Sequence, residues 1–580
     1  MDTPAASVPN LGGFLTVTSA LELITLIALV IIFYKPLGAL LYAAMSGQVP
    51  TWLKPLKFIE TALKAVAGRA ANTEMTARQY LKAVLGLSLL SFLVVWAGVY
   101  FQPALPLFPG AEPLRLDTAF NLAASYITNT NWQAVTAERA LHPLTQTLIL
   151  GVQHFISAAV GLCAAFVLLR ALKRKDTKVL GNFWQDIIRS VLYLLLPLYL
   201  VYALILGIEG VPQTLHTELS YTMVEDGKNV SAPLGLVASL EASKQLGTNG
   251  GGFYGANAGH PFANPTPLTN FLGLLAMLLV PAGLCHLVSL VCNNQRQGRI
   301  LLLVKMLSLL WCIGFAVYSE ALPITASPID STLGAYQSGG AMEGKEQRFG
   351  TLSSAVWAML ATATGTGANN ASFEALHPVT TTFQLILMQV GEVIFGGSGM
   401  GIVAVLLYCL LTVFIAGLMV GRTPEFWGKK IGVAEVRLLS LYILLPPFLT
   451  LTTTAVVLGF PVYTAQLANM GSIGFTELLY GVTSVAQNNG SALGGLSADV
   501  PVYNWLFGVL MLLSRFGTLT IVFLLSEQLL SRRPAPATSG TLATDDLTFA
   551  GLLLGIIIVG VLTYLPALFL GPIAMMVGNV

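Results

Sequence analysis

Stretches of about twenty mostly apolar residues recur along the whole chain of 580 residues. A helix of ~20 residues crosses the ~30 Å hydrocarbon layer of a bilayer. Since every backbone polar group in lipid must be satisfied within the segment, such stretches fold as helices. We therefore predict an all-α polytopic membrane protein. Its ten predicted spans are 14–34, 80–101, 145–170, 185–208, 267–291, 300–320, 379–420, 435–459, 501–529 and 548–572.

The composition agrees with a chain that lies mostly in lipid. Charged residues make up 10% of the chain, whereas soluble domains carry about 25%. The 29 Lys and Arg nearly balance the 27 Asp and Glu, so there is no basic excess to bind nucleic acid. A soluble enzyme, a disordered chain and a nucleic-acid binder are excluded. The five cysteines lie scattered in apolar segments without C-x-x-C spacing, and we expect them to be reduced packing residues.

The basic residues divide unequally between the two sides of the predicted membrane. One set of loops holds 22 of them, including Lys35 and Lys305, the opposite loops hold six, and Arg515 lies inside the ninth span. Because Lys and Arg collect in cytoplasmic loops, the richer side is predicted to be the cytoplasm. With ten spans, both termini are then extracytoplasmic. No Lys or Arg precedes Lys35, so the first span lacks the basic start of a signal peptide and is predicted to be retained.

An internal repeat lies in the loops on the side with few basic residues. Four loops contain an apolar stretch of about 12 residues, too short to span, followed by a cluster of Asn, Thr and Gly. The stretches are 117–128, 235–246, 353–364 and 475–486. The cluster centres Thr130, Asn249, Thr366 and Asn489 are 119, 117 and 123 residues apart. We predict four repeats, at 80–170, 185–291, 300–420 and 435–529, with extra helices at 1–34 and 548–572.

The four clusters have the chemistry of a cation filter. A short helix that stops inside the membrane points the negative end of its dipole at the residues that follow. Four such units around an axis would surround a cation with backbone oxygens in place of its hydration shell. No cluster contains Asp or Glu, which disfavours a calcium or sodium site and favours a desolvated monovalent cation, most simply potassium. The alternative is four polar turns that only pack the helix bundle.

Two charges, Arg515 and Glu392, lie deep inside predicted spans and are functional candidates for that reason. Arg515 is predicted to act as a barrier to cations below the clusters, with a structural pairing to carbonyls or Glu392 as the alternative. Glu392 precedes a glycine-rich run at 396–401 in the seventh span. That span is too long for one simple helix, so we predict that the run breaks it.

Five ordered motifs closely resemble those of the potassium-binding A subunit of the bacterial Kdp potassium-transporting ATPase. They lie at 128–133, 246–253, 342–350, 421–425 and 488–492. The resemblance implies a channel-like transporter fold with four membrane–pore–membrane repeats around a selectivity filter. It assigns the filter to Asn129, Thr130, Asn131, Thr248, Asn249, Gly250, Gly365, Thr366, Gly367, Asn488, Asn489 and Gly490. One departure is Gly365, which stands where relatives have serine.

The resemblance also implies roles outside the filter. Gln133 is expected to influence potassium affinity, and Glu392, Gly397 and Gly399 are expected to belong to a gate. The chain would bind extracellular potassium for an ATP-driven, high-affinity uptake complex in the bacterial plasma (inner) membrane. The implied partners are a P-type ATPase catalytic subunit and small C-type and F-type membrane subunits. Potassium would pass sideways through a tunnel into the ATPase subunit.

We predict that this chain does not itself hydrolyse ATP. It contains neither G-x-x-x-x-G-K-[ST] nor a D-K-T-G-type phosphorylation motif, and we predict no catalytic residues and no covalent cofactor. A stand-alone channel-like potassium transporter of the same superfamily is the main alternative. A weak G-x-S-G pattern at 396–399 suggests an intramembrane serine protease, but His154 and His377 have no spacing that argues for a catalytic base.

Overall fold

The computed structural model describes residues 17–105, 110–175, 177–225, 227–321, 342–532 and 541–577. Within these ranges nine helices are long and apolar enough to cross a membrane, and a bent pair raises the number to ten. The nine are Val17–Ser46, Ala77–Tyr100, Pro143–Lys173, Phe183–Ile208, Pro267–Cys292, Gln295–Glu320, Met400–Met419, Val433–Leu458 and Pro501–Ser531. The bent pair is Leu547–Leu562 with Leu565–Val577, at 57°. A helical, multi-pass architecture is therefore confirmed, with two short β-hairpins that the all-α prediction did not include.

Four shorter helices lie between the spans where the sequence predicts half-helices. They are Leu116–Ile127, Val237–Gly247, Gly350–Ala363 and Gly471–Ala486. Most of their residues are buried, and each ends where a polar cluster begins. The third and fourth begin three and four residues earlier than predicted. The helices are too short to span, so each brings its cluster into the interior of the protein.

Among the basic residues counted as loop charges, Lys35 and Lys305 lie well inside spanning helices. The first span continues twelve residues beyond its predicted end and contains Lys35. Lys305 lies ten residues into Gln295–Glu320 and is buried. Assigning these two residues to loops was wrong, because a lysine is retained inside a helix where its ammonium group finds oxygen partners or reaches the interface. Residues 14–16 of the predicted first span, and Arg533, lie outside the described ranges.

The predicted seventh span is two helices separated by an irregular segment. Pro378–Gln389 ends before the membrane is crossed, and the chain becomes helical again at Met400. The intervening segment, 390–399, is called the break below. It begins six residues earlier than the glycine-rich run suggested. Its residues with left-handed φ are Gly391, Glu392, Phe395, Gly396 and Gly399.

The remaining described elements lie outside the spans. A turn of 3-10 helix, Thr51–Leu56, leads into the helix Lys57–Ala67 between the first and second spans. Strands Glu218–Thr222 and Asn229–Pro233 form an antiparallel hairpin, and so do Glu425–Phe426 and Lys429–Lys430. All five cysteines are free. The third and fifth spans are the most enclosed. The second half-helix contacts both of them, the first contacts the third span, and the third contacts the fifth span, whereas the fourth half-helix packs on the eighth and ninth spans.

Candidate functional site: four converging polar clusters

The four polar clusters meet at one place in the structure. A Cβ atom built on Gly250 would lie 2.7 Å from the Thr130 carbonyl oxygen, 3.0 Å from that of Thr366 and 3.3 Å from that of Asn489. These three oxygens come from the other three clusters. The second cluster therefore faces a backbone carbonyl from each of its counterparts, and no side chain fits at Gly250 without displacing them.

The backbone of the clusters alternates between conformations. The first residue of each is left-handed: Asn129 (φ 65°), Thr248 (50°), Gly365 (66°) and Asn488 (54°). Three of the third residues are also left-handed: Asn131 (50°), Gly367 (64°) and Gly490 (97°). The central residues between them are not. This alternation turns successive peptide carbonyls toward the same side of a strand. Glycine adopts the left-handed region without steric cost, so Gly365 suits its position with no need for a hydroxyl.

Hydroxyl pairs support the first and third clusters in the same way. The Thr128 and Thr130 hydroxyls lie 2.7 Å apart, and those of Thr364 and Thr366 are also 2.7 Å apart. In both pairs the first threonine also donates to a carbonyl of its own half-helix, 2.8 Å away. The central threonine of each cluster is thus fixed to the end of the helix that precedes it.

Amide side chains support the second and fourth clusters. The Asn249 amide donates to the His154 carbonyl at 3.3 Å. The Asn489 amide donates to the Thr362 carbonyl at 3.2 Å, near the end of the third half-helix. Both side chains are buried and point away from the converging carbonyls toward their supports. Threonine and asparagine therefore alternate around the four clusters as the central, buried residue.

Gln133 joins the outer parts of the first and second clusters. Its amide nitrogen donates to the Tyr126 hydroxyl at 2.7 Å and to the Gly252 carbonyl at 3.1 Å. Its amide oxygen accepts a hydrogen bond of 3.2 Å from the Gly252 N–H. Gln133 therefore connects the first half-helix to the backbone of the second cluster.

A buried ion pair lies on the second half-helix. The Lys244 ammonium is 2.5 Å from the Glu241 carboxylate, and both side chains are inaccessible to solvent. Lys244 also donates to Asn257 at 2.8 Å. Lys244 is one of the six basic residues of the loops with few charges, and it lies in the half-helix predicted for its loop. The pair is neutral as a whole, so it adds no net charge beside the clusters.

The break in the seventh span contacts the second cluster and the third half-helix. The Ser398 N–H donates to the Thr248 hydroxyl at 2.7 Å, and the Gly396 N–H donates to the Ala363 carbonyl at 2.8 Å. A Cβ on Gly399 would lie 2.1 Å from the backbone of Gly161 in the third span. The break is therefore held against the second cluster, the third half-helix and the third span.

Glu392 holds the break from within. Its carboxylate accepts a hydrogen bond of 2.8 Å from the Gly397 N–H. In the described part of the chain it forms no ion pair with Arg515, although the two groups face the same cavity. These contacts favour a role of Glu392 in supporting the break over a pairing with Arg515.

Lys305 is a second support of the break, and sequence reasoning missed it. Its ammonium group donates to the Phe395 carbonyl at 3.0 Å and to the Gly401 carbonyl at 3.1 Å. These carbonyls stand on either side of the glycine-rich turn. A signal was available, since the predicted span 300–320 already contained this lysine.

A cavity of about 40 Å³ lies beside the fourth cluster and the break. It is lined by Asn488, Glu392, Arg515 and Tyr442, among others. Its volume exceeds the ~10–15 Å³ needed to hold one water molecule. Ser514, the residue before Arg515, donates to the Ala486 carbonyl at the end of the fourth half-helix. The structure therefore brings the two predicted intramembrane charges together at the end of a half-helix.

Comparison with known proteins identifies the family. Residues 24–577 match the model of a family described as potassium-transporting ATPase A subunit. This chain belongs to that family. The resemblance drawn from the five motifs is thus confirmed, and the match covers all four half-helices, their clusters and the break.

Individual relatives of this A-subunit chain are similar over nearly their whole length. Each is called potassium-transporting ATPase potassium-binding subunit. The relative from Edwardsiella ictaluri is 43% identical over 97% of this chain and 98% of its own. The relative from Methylibium petroleiphilum is 41% identical over 95% and 97%, and one from Yersinia pestis is 42% identical over 97% and 98%.

A solved structure shares the fold of this A-subunit chain. It is the crystal structure of the potassium transporter TrkH from Vibrio parahaemolyticus. The TM-score is 0.50 at 13% sequence identity, and the match covers 85% of this chain and 97% of TrkH. At this identity the likeness concerns the fold alone.

The charged residues of the third family motif, 342–350, make specific contacts with neighbouring segments. Lys345 pairs with Glu320 at 2.9 Å, and both side chains are buried. Arg348 donates to the carbonyls of Asn264 at 3.1 Å and Gly259 at 2.5 Å. These contacts join the end of the sixth span to the loop that follows the second cluster.

The contacts of Ser398 do not support the protease alternative. The Ser398 hydroxyl interacts with Thr248 at 3.2 Å. His154 instead pairs with Ser243 at 2.8 Å, and His377 accepts from the Val379 N–H at the start of a helix. Neither histidine is a hydrogen-bond partner of Ser398, so the described residues contain no serine–histidine pair at the G-x-S-G pattern.

Proposed function

We propose that this chain is the potassium-binding and translocating subunit of an ATP-driven potassium uptake complex. The observation that carries the proposal is the convergence of the Thr130, Thr366 and Asn489 carbonyls on Gly250. Backbone carbonyls that replace a hydration shell are the ligands of potassium filters. The relatives are named as potassium-binding subunits, which indicates the same ion.

The proposed filter consists of the four clusters. Its residues are Asn129, Thr130, Asn131, Thr248, Asn249, Gly250, Gly365, Thr366, Gly367, Asn488, Asn489 and Gly490. None carries a charge, so a bound cation would be held by dipoles and by the negative ends of four half-helices. A monovalent ion suits such a site because its smaller dehydration cost is offset by neutral oxygens.

We propose that Gln133 tunes affinity by holding the second cluster in place. The four segments 80–170, 185–291, 300–420 and 435–529 are proposed as the repeats.

Below the filter, Arg515 is proposed to oppose direct passage of potassium to the cytoplasm. Its side chain faces the cavity beside Asn488, where a fixed positive charge in a low-dielectric setting repels a cation strongly. Glu392, Gly397 and Gly399 are proposed to form a gate within the break. The cavity is the proposed start of a sideways route toward the ATPase subunit.

In the proposed complex, other subunits carry out ATP hydrolysis and complete the assembly. A P-type ATPase catalytic subunit would hydrolyse ATP, and small C-type and F-type subunits would complete the assembly in the bacterial inner membrane. The side rich in Lys and Arg would face the cytoplasm, with both termini outside.

Potassium-stimulated ATPase activity of the reconstituted complex tests this proposal. Gly250→Asp should abolish selective stimulation by potassium over sodium, because the new side chain occupies the space where the carbonyls meet. Gly227→Asp is the matched control. Gly227 is left-handed (φ 67°), and a Cβ there meets nothing within 4 Å.

Two outcomes would contradict the proposal. Normal potassium selectivity in Gly250→Asp would refute the filter assignment. Potassium uptake by this chain alone, without ATP or a catalytic subunit, would instead establish the stand-alone transporter.

A further inference from the structure

The helix Lys57–Ala67, outside the spans, presents an apolar face that no described part of the chain covers. Phe58 is 72% exposed and Val66 is 87% exposed, and Ala62 between them is exposed as well. Residues four apart lie on one face of a helix. Trp52, in the preceding turn of helix, is 65% exposed. Together these side chains form a narrow apolar stripe, which is called the outer stripe below.

The opposite face of this helix is polar and firmly attached. Glu60 is buried and accepts hydrogen bonds from Arg189 Nε at 2.9 Å and from the Tyr193 hydroxyl at 2.5 Å. Lys64, one turn later, forms an ion pair with the same carboxylate. Arg189 and Tyr193 belong to the fourth span. The helix is therefore held at one end of that span, and its orientation about its own axis is fixed.

The attachment determines which surface the outer stripe meets. The first span ends at Ser46 and the second begins at Ala77, so the segment between them lies at one membrane surface. It is the surface that carries most of the basic residues. The first span exposes Ile31 and Ile32, which a spanning helix directs to lipid. Only residues 47–56 separate the end of that span from the helix Lys57–Ala67, which keeps the outer stripe at the membrane surface.

Two exposed lysines flank the stripe. Lys54 and Lys57 are exposed and would lie at the depth of phosphate groups if the stripe rested among acyl chains. An amphipathic helix with Trp and Phe on one side and Lys along the edge is the pattern of an interfacial, anionic-lipid-binding segment. We propose that Lys57–Ala67 lies in the leaflet on the basic side, with the outer stripe in the acyl region and Lys54 and Lys57 on anionic headgroups.

Site-directed spin labelling of the assembled complex in vesicles tests the placement. Phe58→Cys and Val66→Cys carry the label, and Lys57→Cys, on the exposed polar edge of the helix, is the control. Cys292, the only native cysteine that is not fully buried, is replaced by Ser. Labels at 58 and 66 should collide several-fold more with oxygen than with a water-soluble nickel complex, and the label at 57 should show the reverse.

The same labels distinguish lipid from other surroundings. Equal access of the nickel complex to 57, 58 and 66 would place the helix in water. Exclusion of both reagents from 58 and 66 would mean that a partner subunit covers the stripe. Either result overturns the proposal.

A second measurement tests the anionic component. Adding phosphatidylglycerol to phosphatidylcholine vesicles should increase the depth of the label at 58. The double variant Lys54→Gln, Lys57→Gln should remove that dependence while leaving the label in lipid. Unchanged dependence in the double variant would refute headgroup binding by these lysines.

Discussion

The backbone N–H of Ser398 donates a hydrogen bond of 2.7 Å to the hydroxyl of Thr248, which lies 150 residues earlier in the chain. Ser398 belongs to the break in the seventh span, and Thr248 is the first residue of the second cluster. The break therefore cannot move away without releasing a residue of the proposed filter. This contact gives a direct physical connection between ion binding and the proposed gate.

Replacing Thr248 with Val tests that connection. The substitution keeps the side-chain shape but removes the acceptor, so the buried Ser398 N–H loses its partner at a cost of about 1–3 kcal/mol. We expect passive potassium efflux from vesicles without ATP to rise by roughly tenfold. Thr248→Ser retains the hydroxyl and should remain tight. Equal efflux from the two variants would show that the hydrogen bond does not hold the break.

Removing the Lys305 ammonium group should also loosen the break. Lys305→Met leaves the Phe395 and Gly401 carbonyls unpaired, so passive efflux should rise and the free energy of unfolding should fall by about 1–3 kcal/mol. Lys429→Met is a matched control. Lys429 is another buried lysine that donates to two carbonyls, at 2.6 and 2.8 Å, but away from the break.

The two lysine variants separate stability from gating. Both should lower the free energy of unfolding in a denaturation experiment, and only the Lys305 variant should leak potassium. Leakage from both variants, or from neither, would show that Lys305 does not keep the break closed.

The barrier role of Arg515 predicts a leak of a different kind. Arg515→Ala removes the positive charge from the cavity and should allow potassium through without ATP, while the filter still selects potassium over sodium. Arg437→Ala, which removes an exposed basic residue of the eighth span, should remain tight. A tight Arg515→Ala variant with normal coupled uptake would show that the residue has only a packing role.

Gln133→Leu should weaken potassium binding without abolishing transport. It removes two hydrogen bonds to Gly252 in the second cluster and one to Tyr126 in the first half-helix, each contributing about 0.5–1.5 kcal/mol. The potassium concentration for half-maximal ATPase stimulation should rise by roughly tenfold or more, with the maximal rate preserved. An unchanged half-maximal concentration would argue against an affinity role.

The Glu60 network predicts a pH dependence of stability. Burial alone would raise the pKa of Glu60, but hydrogen bonds from Lys64, Tyr193 and Arg189 lower it from 4.5 to about 2. The stabilisation of the charged form is therefore complete above pH 4.5 and is lost as the pH falls toward 2. Glu60→Gln should reduce the free energy of unfolding at pH 7 by at most about 3 kcal/mol.

Thermal unfolding in detergent at several pH values checks this dependence. The difference between the wild-type chain and Glu60→Gln should be constant from pH 7 to 5 and should shrink below pH 4. A difference that grows as the pH falls would contradict the assigned ionisation.

Several parts of this architecture could be predicted from the sequence because they depend on local length and hydrophobicity. Spans, half-helices and clusters follow from how many apolar residues occur between polar ones, and lipid admits few backbone solutions. The family motifs lie in the same segments. The helix boundaries were predicted less well where the local pattern does not mark the end of a helix. The first span continues past Lys35, and the helix of the seventh span ends at Gln389, before the glycine-rich run 396–401.

The partners of buried charges were decided only by tertiary structure. Lys305, Lys244 and Lys345 look like ordinary basic residues in the sequence, yet each is buried with oxygen partners that lie elsewhere in the fold or on its own helix. A lone charge in lipid is costly, but the sequence does not say which carbonyl or carboxylate offsets that cost. The convergence of four clusters on Gly250 likewise depends on packing between distant segments. Local pattern determined which segments enter the membrane, whereas long-range contacts determined what those segments hold.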